Sequence, residues 1–420
     1  MSVPTFRRHD PNPIVPLMLS SFSVVYRHKP IRFSAAAIFF FGFSGAATSP
    51  YMSLIGIREL GLSDAVYSVL IFLAAVVNVS ASVTAGIIAD RLGHFRSPMI
   101  LAAIFGIVGF GLVYVVPTPV MFAIATLVLI PVFGTINSLI FANIRAVSSG
   151  MAVRELMAVN SAVRAILSAS WVLVPGIVGA LLVGQPSMLP AFLLASIACL
   201  VCLLLFVFGL DRLPPAQEGV RQHYSFFRSI RQIGSASVLP RLLAISLISA
   251  MLHANGTVLP LIVTGKAGGT PADVGVIVGI VAFLEIIFIL FWGWVEARTS
   301  ILFAMVTAAL IYCSYLVFLG LADRPMDVYL LTVVAGLGAA GIIAIPITYL
   351  QNLIADRAGL GSSLIAVNIF LSGGMASLMF ALGTSISDYA GTAIIASIAG
   401  CSGVCLLWLL DRTPRVKTEV

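Results

Sequence analysis

Long apolar runs alternate with short polar punctuation along this chain, and each run is longer than the helices of an ordinary soluble core. The pattern predicts twelve membrane-spanning helices. They fall at roughly 33–57, 66–89, 98–116, 119–141, 156–183 and 189–210, then 241–264, 273–294, 300–320, 327–349, 362–384 and 388–410. Each has about the 20 residues needed to cross a hydrocarbon core of roughly 30 Å. Between the two sixes lies a polar stretch containing Pro214-Pro215 and Arg212, Arg221, Arg228 and Arg231. The expected fold class is therefore all-α integral membrane, with twelve transmembrane helices in two six-helix bundles. The expected divisions are a cytoplasmic tail at 1–32, a first bundle at 33–210, a cytoplasmic loop at 211–240, a second bundle at 241–410 and a cytoplasmic tail at 411–420.

Composition supports lipid as the solvent. Hydrophobic residues make up 60% of the chain and charged residues 9%, against about a quarter charged in soluble domains. The net charge of +7 could mark a nucleic-acid binder, but no solvated basic face exists to use it. Its distribution follows the positive-inside rule instead. With the N-terminus inside, the outward loops carry Arg58, Lys266 and Arg324 against Glu59, Asp64, Asp273, Asp323, Asp327 and Asp388, so the positive surplus lies on the other face. Both termini are expected in the cytoplasm and the protein in the cell inner (plasma) membrane. Residues 1–32 are basic and lack the apolar core of a cleavable signal. The five cysteines all lie in apolar runs, and Cys199-x-x-Cys202 reads as helix packing, not as a metal or redox pair.

Two marks recur at nearly the same offset. Gly86-Ile87-Ile88-Ala89-Asp90-Arg91-Leu92-Gly93-His94-Phe95-Arg96 is a polar elbow after the second run. A degraded copy begins at Gly293, about 207 residues on. Asn160 in Met157-Ala158-Val159-Asn160 is echoed by Asn368 in Ile365-Ala366-Val367-Asn368. A shared offset points to a parallel duplication of six helices.

Apart from histidines, two ionisable residues lie well within spans: Arg164 in the fifth and Glu285 in the eighth. A charge at that depth costs at least about 2.5–3.5 kcal/mol, so function is its default explanation. Each is expected roughly 12–14 Å from the cytoplasmic end of its helix, at a common depth. They could form a static bridge, or Glu285 could carry a proton while Arg164 holds solute hydroxyls or tunes it. Asn78, Asn137, Asn160, His253, Asn255 and Asn368 are further polar candidates for solute hydroxyls, each equally suited to joining helices. Trp171 could stack on a sugar face, whereas Trp292 and Trp294 read as an interfacial belt. The sequon-like Asn255-Gly256-Thr257 lies inside a span and is discounted. Arg145, ending the fourth span, and Arg154-Glu155, before the fifth, read as interfacial anchors more than as substrate ligands.

The elbow resembles the loop between helices two and three of the major facilitator superfamily, with its pattern G-x-x-x-D-R-x-G-[R/H]-x-R/K. That resemblance implies the two-bundle fold of the superfamily and gating roles for Gly86, Asp90, Arg91, Gly93, Arg96 and the nearby Arg145. It implies too that Asp90 points at the start of the eleventh helix, near Gly361-Ser362-Ser363. Pro175-Gly176 is similar to a weakened form of the glycine-proline motif of the superfamily's exporters and antiporters. Narrower stretches resemble the bacterial sugar efflux transporter family: Phe141-Ala142-Asn143-Ile144-Arg145, Val163-Arg164-Ala165, Phe283-Leu284-Glu285-Ile286, and Gln351 to Gly359 leading to Asn368. The resemblance implies proton-coupled export of small sugars or glycosides, with Arg164 and Glu285 as the intramembrane charges.

The expected function is alternating-access export, with a small-molecule sugar and a proton as partners, the bilayer as surroundings and a monomer as the assembly. A multidrug or amphiphile exporter is the rival. No G-x-x-x-x-G-K-[ST] segment occurs, which argues against an ATP-driven pump. No nucleophile–base or metal-ligand spacing marks an enzyme, and no cofactor, metal or nucleic acid is expected.

Overall fold

The computed structural model describes residues 25–26, 28–148, 151–185, 187–210, 235, 237–353 and 358–412, and within these the side chains of residues 90, 153, 154, 358–363 and 412 are excluded. Twelve of its helices are long and apolar enough to cross a membrane. They are α1 (Lys29–Thr48), α2 (Asp64–Leu92), α3 (Arg96–Val115), α4 (Pro119–Val147), α5 (Val153–Leu181), α6 (Pro190–Gly209), α7 (Leu239–Thr264), α8 (Pro271–Arg298), α9 (Ile301–Leu321), α10 (Pro325–Leu353), α11 (Ala358–Ile386) and α12 (Tyr389–Arg412). The expected spans reappear with shifted edges. The first starts four residues earlier and runs on through a 3-10 turn (Ser49–Tyr51) and a π turn (Leu54–Glu59).

Helix ends are set locally. Ser63, Thr118, Thr270 and Ser300 each cap an N-terminus by accepting a hydrogen bond from the backbone N–H three residues on, which satisfies a donor the helix leaves open. Gly93 ends α2 with φ +70°, a left-handed conformation that favours glycine. Hence the elbow glycine is a helix stop. Arg96, the first residue of α3, anchors the elbow from the other side. Its Nε and Nη2 donate to the carbonyls of Phe206 and Val207, at 3.2 and 2.7 Å. A guanidinium thereby caps the last turn of α6, where carbonyls lack helical partners. Arg241 does the same in the second half, donating 2.7 Å bonds to Asp411 Oδ1 and the Leu410 carbonyl.

The two sets of six pack alike. In the first, α1 packs on α5 and α6, α3 on α4 and α6, and α2 on α4. In the second, α7 packs on α11 and α12, α9 on α10 and α12, and α8 on α10. Adding six to each helix number maps one list onto the other, as a duplicated unit requires. Between the halves, α5 packs on α8 and α2 on α11.

An even number of crossings puts the residue 29 and residue 412 ends of the bundle together; the opposite face carries the hairpins that follow the odd-numbered helices. The halves meet closely at the hairpin end. There Gly179 of α5 and Gly275 of α8 let two backbones touch, and a Cβ on Gly275 would come within 2.6 Å of Tyr51 Oη and 3.0 Å of Gly179 Cα. Tyr389 donates to Asp64 Oδ1 at 3.0 Å and Arg58 to the Leu261 carbonyl at 3.5 Å. The rings of Tyr67 and Phe380 meet edge to face. By contrast, Gly86 and Gly293, the paired elbow glycines at the terminal end, have nothing within 4 Å of where a Cβ would stand.

Gly275→Val should therefore force the hairpin ends apart, because overpacking such a contact costs about 1–3 kcal/mol. Spin labels at the exposed positions 183 and 268, one on each half, should report a longer distance population in the variant. An unaltered distribution would mean the crossing does not hold the halves together.

Candidate functional site

A cavity of about 500 Å³ lies between the halves, within the 300–1,000 Å³ typical of small-molecule sites. Helices from both halves contribute. Tyr67 and Ile71 come from α2, Trp171 from α5, His253 and Asn255 from α7, Glu285 from α8, and Tyr312 and Tyr315 from α9. A second chamber of about 410 Å³ adjoins it, mainly in the first half, lined by Phe41, Phe110, Ile130 and Phe133 with Asn78, Thr48 and Thr126 among its polar residues. Trp171 and His253 belong to both chambers. His253 reaches a third, smaller space of about 100 Å³ with Tyr67, Ser68 and Ser377. The imidazole thus stands where all three meet.

Glu285 is half-buried and faces the main cavity. It forms no hydrogen bond or ion pair with the described residues. Arg164 does not meet it. Its guanidinium sits over the Phe141 ring of α4, 5.5 Å from the centroid. Arg164 is about 16 Å, and Glu285 about 20 Å, from the terminal ends of their helices at 1.5 Å per residue. Both lie deeper than the expected depth of roughly 12–14 Å and about 4 Å apart in depth, because the two helices extend beyond the expected spans, and the side chains diverge. Arg164 lies seven residues before Trp171, so both share a face of α5, with Arg164 two turns nearer the terminal end. Tyr315 donates to Asn255 Oδ1 at 3.1 Å, fixing the amide at the cavity wall.

Other expected polar residues are engaged elsewhere. Asn78 donates to the Pro131 carbonyl at 3.0 Å. In a continuous helix that carbonyl would take the Thr135 N–H, but α4 breaks at Thr135, whose N–H turns to Val132 instead. Asn368 is buried and joins α11 to α7, accepting from Ser246 Oγ at 2.9 Å and donating to Ser249 Oγ at 3.2 Å. Its pseudo-equivalent Asn160 is half-buried and Asn137 exposed, and neither lines these three cavities. Arg91 and Arg145 are exposed at helix ends. The Asp90 side chain, the Arg154 side chain and the segment Gly361-Ser362-Ser363 lie outside the described side chains, so the Asp90 contact is not described.

The belt expectation needs correction at one residue. Trp292 is 2% exposed and donates to the Leu337 carbonyl at 2.7 Å, so it packs α8 on α10. Trp294 is exposed and stacks under Arg298, whose guanidinium lies 4.1 Å from the ring centroid. The two are 200° apart on the helix at 100° per residue, so one faces in when the other faces out. Sequence reasoning also missed Tyr67, Tyr312 and Tyr315. The tyrosines at 312 and 315 share one face of an otherwise apolar helix, a signal the sequence does carry.

Residues 34–378 match the model of the Major Facilitator Superfamily. The chain is similar to a Deinococcus radiodurans protein named "Putative sugar efflux transporter", 27% identical over 337 residues that cover 76% of this chain and 82% of that one. Among solved structures, nucleoside transporter NupG is similar with a TM-score of 0.76, 13% identity, and 92% of this chain and 100% of that chain covered. A POT family transporter in complex with a thioalcohol conjugated peptide gives 0.73, 12%, and 90% and 94%. At such identities the structural likeness establishes the fold.

Asn368→Ala should lower stability by about 1–2 kcal/mol, since interhelical hydrogen bonds in membranes are worth roughly 0.6–1.7 kcal/mol each. Unfolding in micelles should register that loss while solute affinity per folded molecule stays the same. A large affinity loss at unchanged stability would move Asn368 into the binding site.

Proposed function

The chain belongs to the Major Facilitator Superfamily, and from this membership we propose that it is a proton-coupled secondary transporter exporting small sugars or glycosides by alternating access. The membrane setting and the transport class come with the fold and the family; the solute, the coupling ion and the direction are this proposal's own content. The observation that carries it is the cavity between the halves, where Glu285 stands without a counter-ion among the described residues, beside Asn255, Tyr315 and Trp171. An amide and phenols offer donors and acceptors to sugar hydroxyls, and an indole offers a flat apolar surface to a sugar ring.

Glu285 would take up and release the proton. A carboxylate in a low-dielectric cavity is costly while charged and unpaired, so protonation and solute binding compete to relieve the same cost. The bundles would then rock about the cavity. With the terminal end in the cytoplasm, as the loop charges favour, the close crossing at Gly179 and Gly275 would correspond to an inward-facing state. The resemblance assigns gating to the elbow. Here Gly93 would stop α2 and Arg96 would brace α6, leaving Asp90 and Arg91 to act at the seam. The protein of Deinococcus radiodurans bears the name of a sugar exporter, which favours the same solute class.

The second reading, export of amphiphiles, is favoured by the chamber lined by Phe41, Phe110 and Phe133. Radiolabelled sugars and a lipophilic dye, offered to inverted vesicles with and without an imposed pH gradient, separate the two. Glu285→Gln should reduce gradient-driven sugar transport to background while the protein remains inserted and folded, as judged by its micelle unfolding profile. Full gradient coupling in that variant would overturn the role of Glu285. Dye transport without sugar transport would replace sugar export by the second reading.

A further inference from the structure

We propose that the solute carries a protonated amine, seated at Glu285 within the aromatic wall of the main cavity. This rests on the reading of that cavity as a sugar site, and it narrows the solute to an amino sugar. Matching depth alone makes Arg164 the natural counter-ion of Glu285. Its guanidinium is instead turned onto Phe141, so no fixed cation among the described residues answers the carboxylate. The other charged or titratable side chains lining the cavity are His253, Tyr67, Tyr312 and Tyr315, none of which carries a permanent positive charge. Arg58 and Asp64 are engaged in the seam at the hairpin end.

A carboxylate so placed is stabilised by a mobile cation, either a proton or one brought by the solute. The wall favours the latter. Trp171, Tyr67, Tyr312 and Tyr315 surround the same space, and the faces of indole and phenol rings attract an ammonium group, most strongly where water is excluded. Asn255 Oδ1 and the tyrosine oxygens are acceptors for its remaining N–H bonds.

The consequence is a coupling rule. Glu285 holds the ammonium group or the proton, never both, so each proton entering displaces one ammonium solute leaving. One positive charge moves each way and the exchange is electroneutral. A neutral sugar exchanged for a proton would move net charge, and its transport would respond to membrane potential.

The test uses the purified full chain in vesicles, with a pH gradient imposed and the potential set by potassium and valinomycin. The probes are radiolabelled glucosamine, N-acetylglucosamine and glucose. The first two share a ring and differ in whether the nitrogen is charged. Glucosamine should move on the order of tenfold or more faster at low concentration, as charge-assisted hydrogen bonds and cation–π contacts allow. Its rate should be insensitive to potential, and Glu285→Gln should erase the preference over N-acetylglucosamine. The wild-type comparison stands even if that variant fails to fold. Equal transport of all three sugars, or a preference for the neutral ones, overturns the amine while leaving sugar export intact. Transport of none removes the sugar reading itself, and this inference with it.

Discussion

Within a hydrocarbon core a polar group finds its partner inside the protein or bears the cost of having none. That constraint sorts the polar residues of this chain more sharply than chain position does. Asn78 answers the Pro131 carbonyl beside the break of α4 at Thr135. Asn368 bridges two serines of α7, and the Trp292 indole caps a carbonyl of α10. Arg96 and Arg241 close the last turns of α6 and α12. These groups share one task, the repair of open backbone or the joining of helices. Glu285 and His253 have no such task and face the open space between the halves. An unmatched group on a cavity wall is where a solute gains most by binding.

The same constraint explains the seam. Two helices of opposite halves can approach closely only where glycines remove the side chains between them, as Gly179 and Gly275 do. Such a contact holds through dispersion and leaves few hydrogen bonds to break. The two cross-half hydrogen bonds beside it, from Tyr389 and Arg58, lie toward the hairpin ends where water can replace them. Tyr51 Oη is buried at this crossing without a partner, a local cost that separation of the halves would relieve. A seam built this way is tight but not locked, which suits the proposed opening at either end. Its mobility follows from which partners are exchangeable.

The frame of the fold was legible in the sequence because its signal is long. Twelve runs of about 20 apolar residues are hard to mistake, and charge at their ends orders them. The duplicated elbow foretold the repeated packing of α1 to α6 in α7 to α12. Side-chain direction was less legible. Arg164 and Glu285 were placed at similar depth because depth follows from counting, yet which way a guanidinium swings depends on neighbours far away in the chain, here Phe141. Asn78 reads as a solute ligand until the break of α4 at Thr135 is known, and which carbonyl that break opens is not marked in the sequence. Trp292 shows the reverse error. Its rotation away from Trp294 follows from helical period alone, and its burial could have been foreseen.

The two halves share a frame but divide the chemistry. Glu285, Asn255, Tyr312 and Tyr315 all come from the second half, whereas the adjoining chamber of Phe41, Phe110 and Phe133 belongs mainly to the first. Duplication makes two equivalent walls, and a site between equivalent walls has no reason to orient an asymmetric solute. Concentrating acceptors on one wall and apolar rings on the other supplies that orientation without disturbing the packing that lets the halves move. Trp171 and His253 stand at the border, the first from α5 and the second from α7. In the proposed transport cycle a solute crossing from one wall's influence to the other would pass them, so these two side chains would govern how the unlike walls act on one molecule.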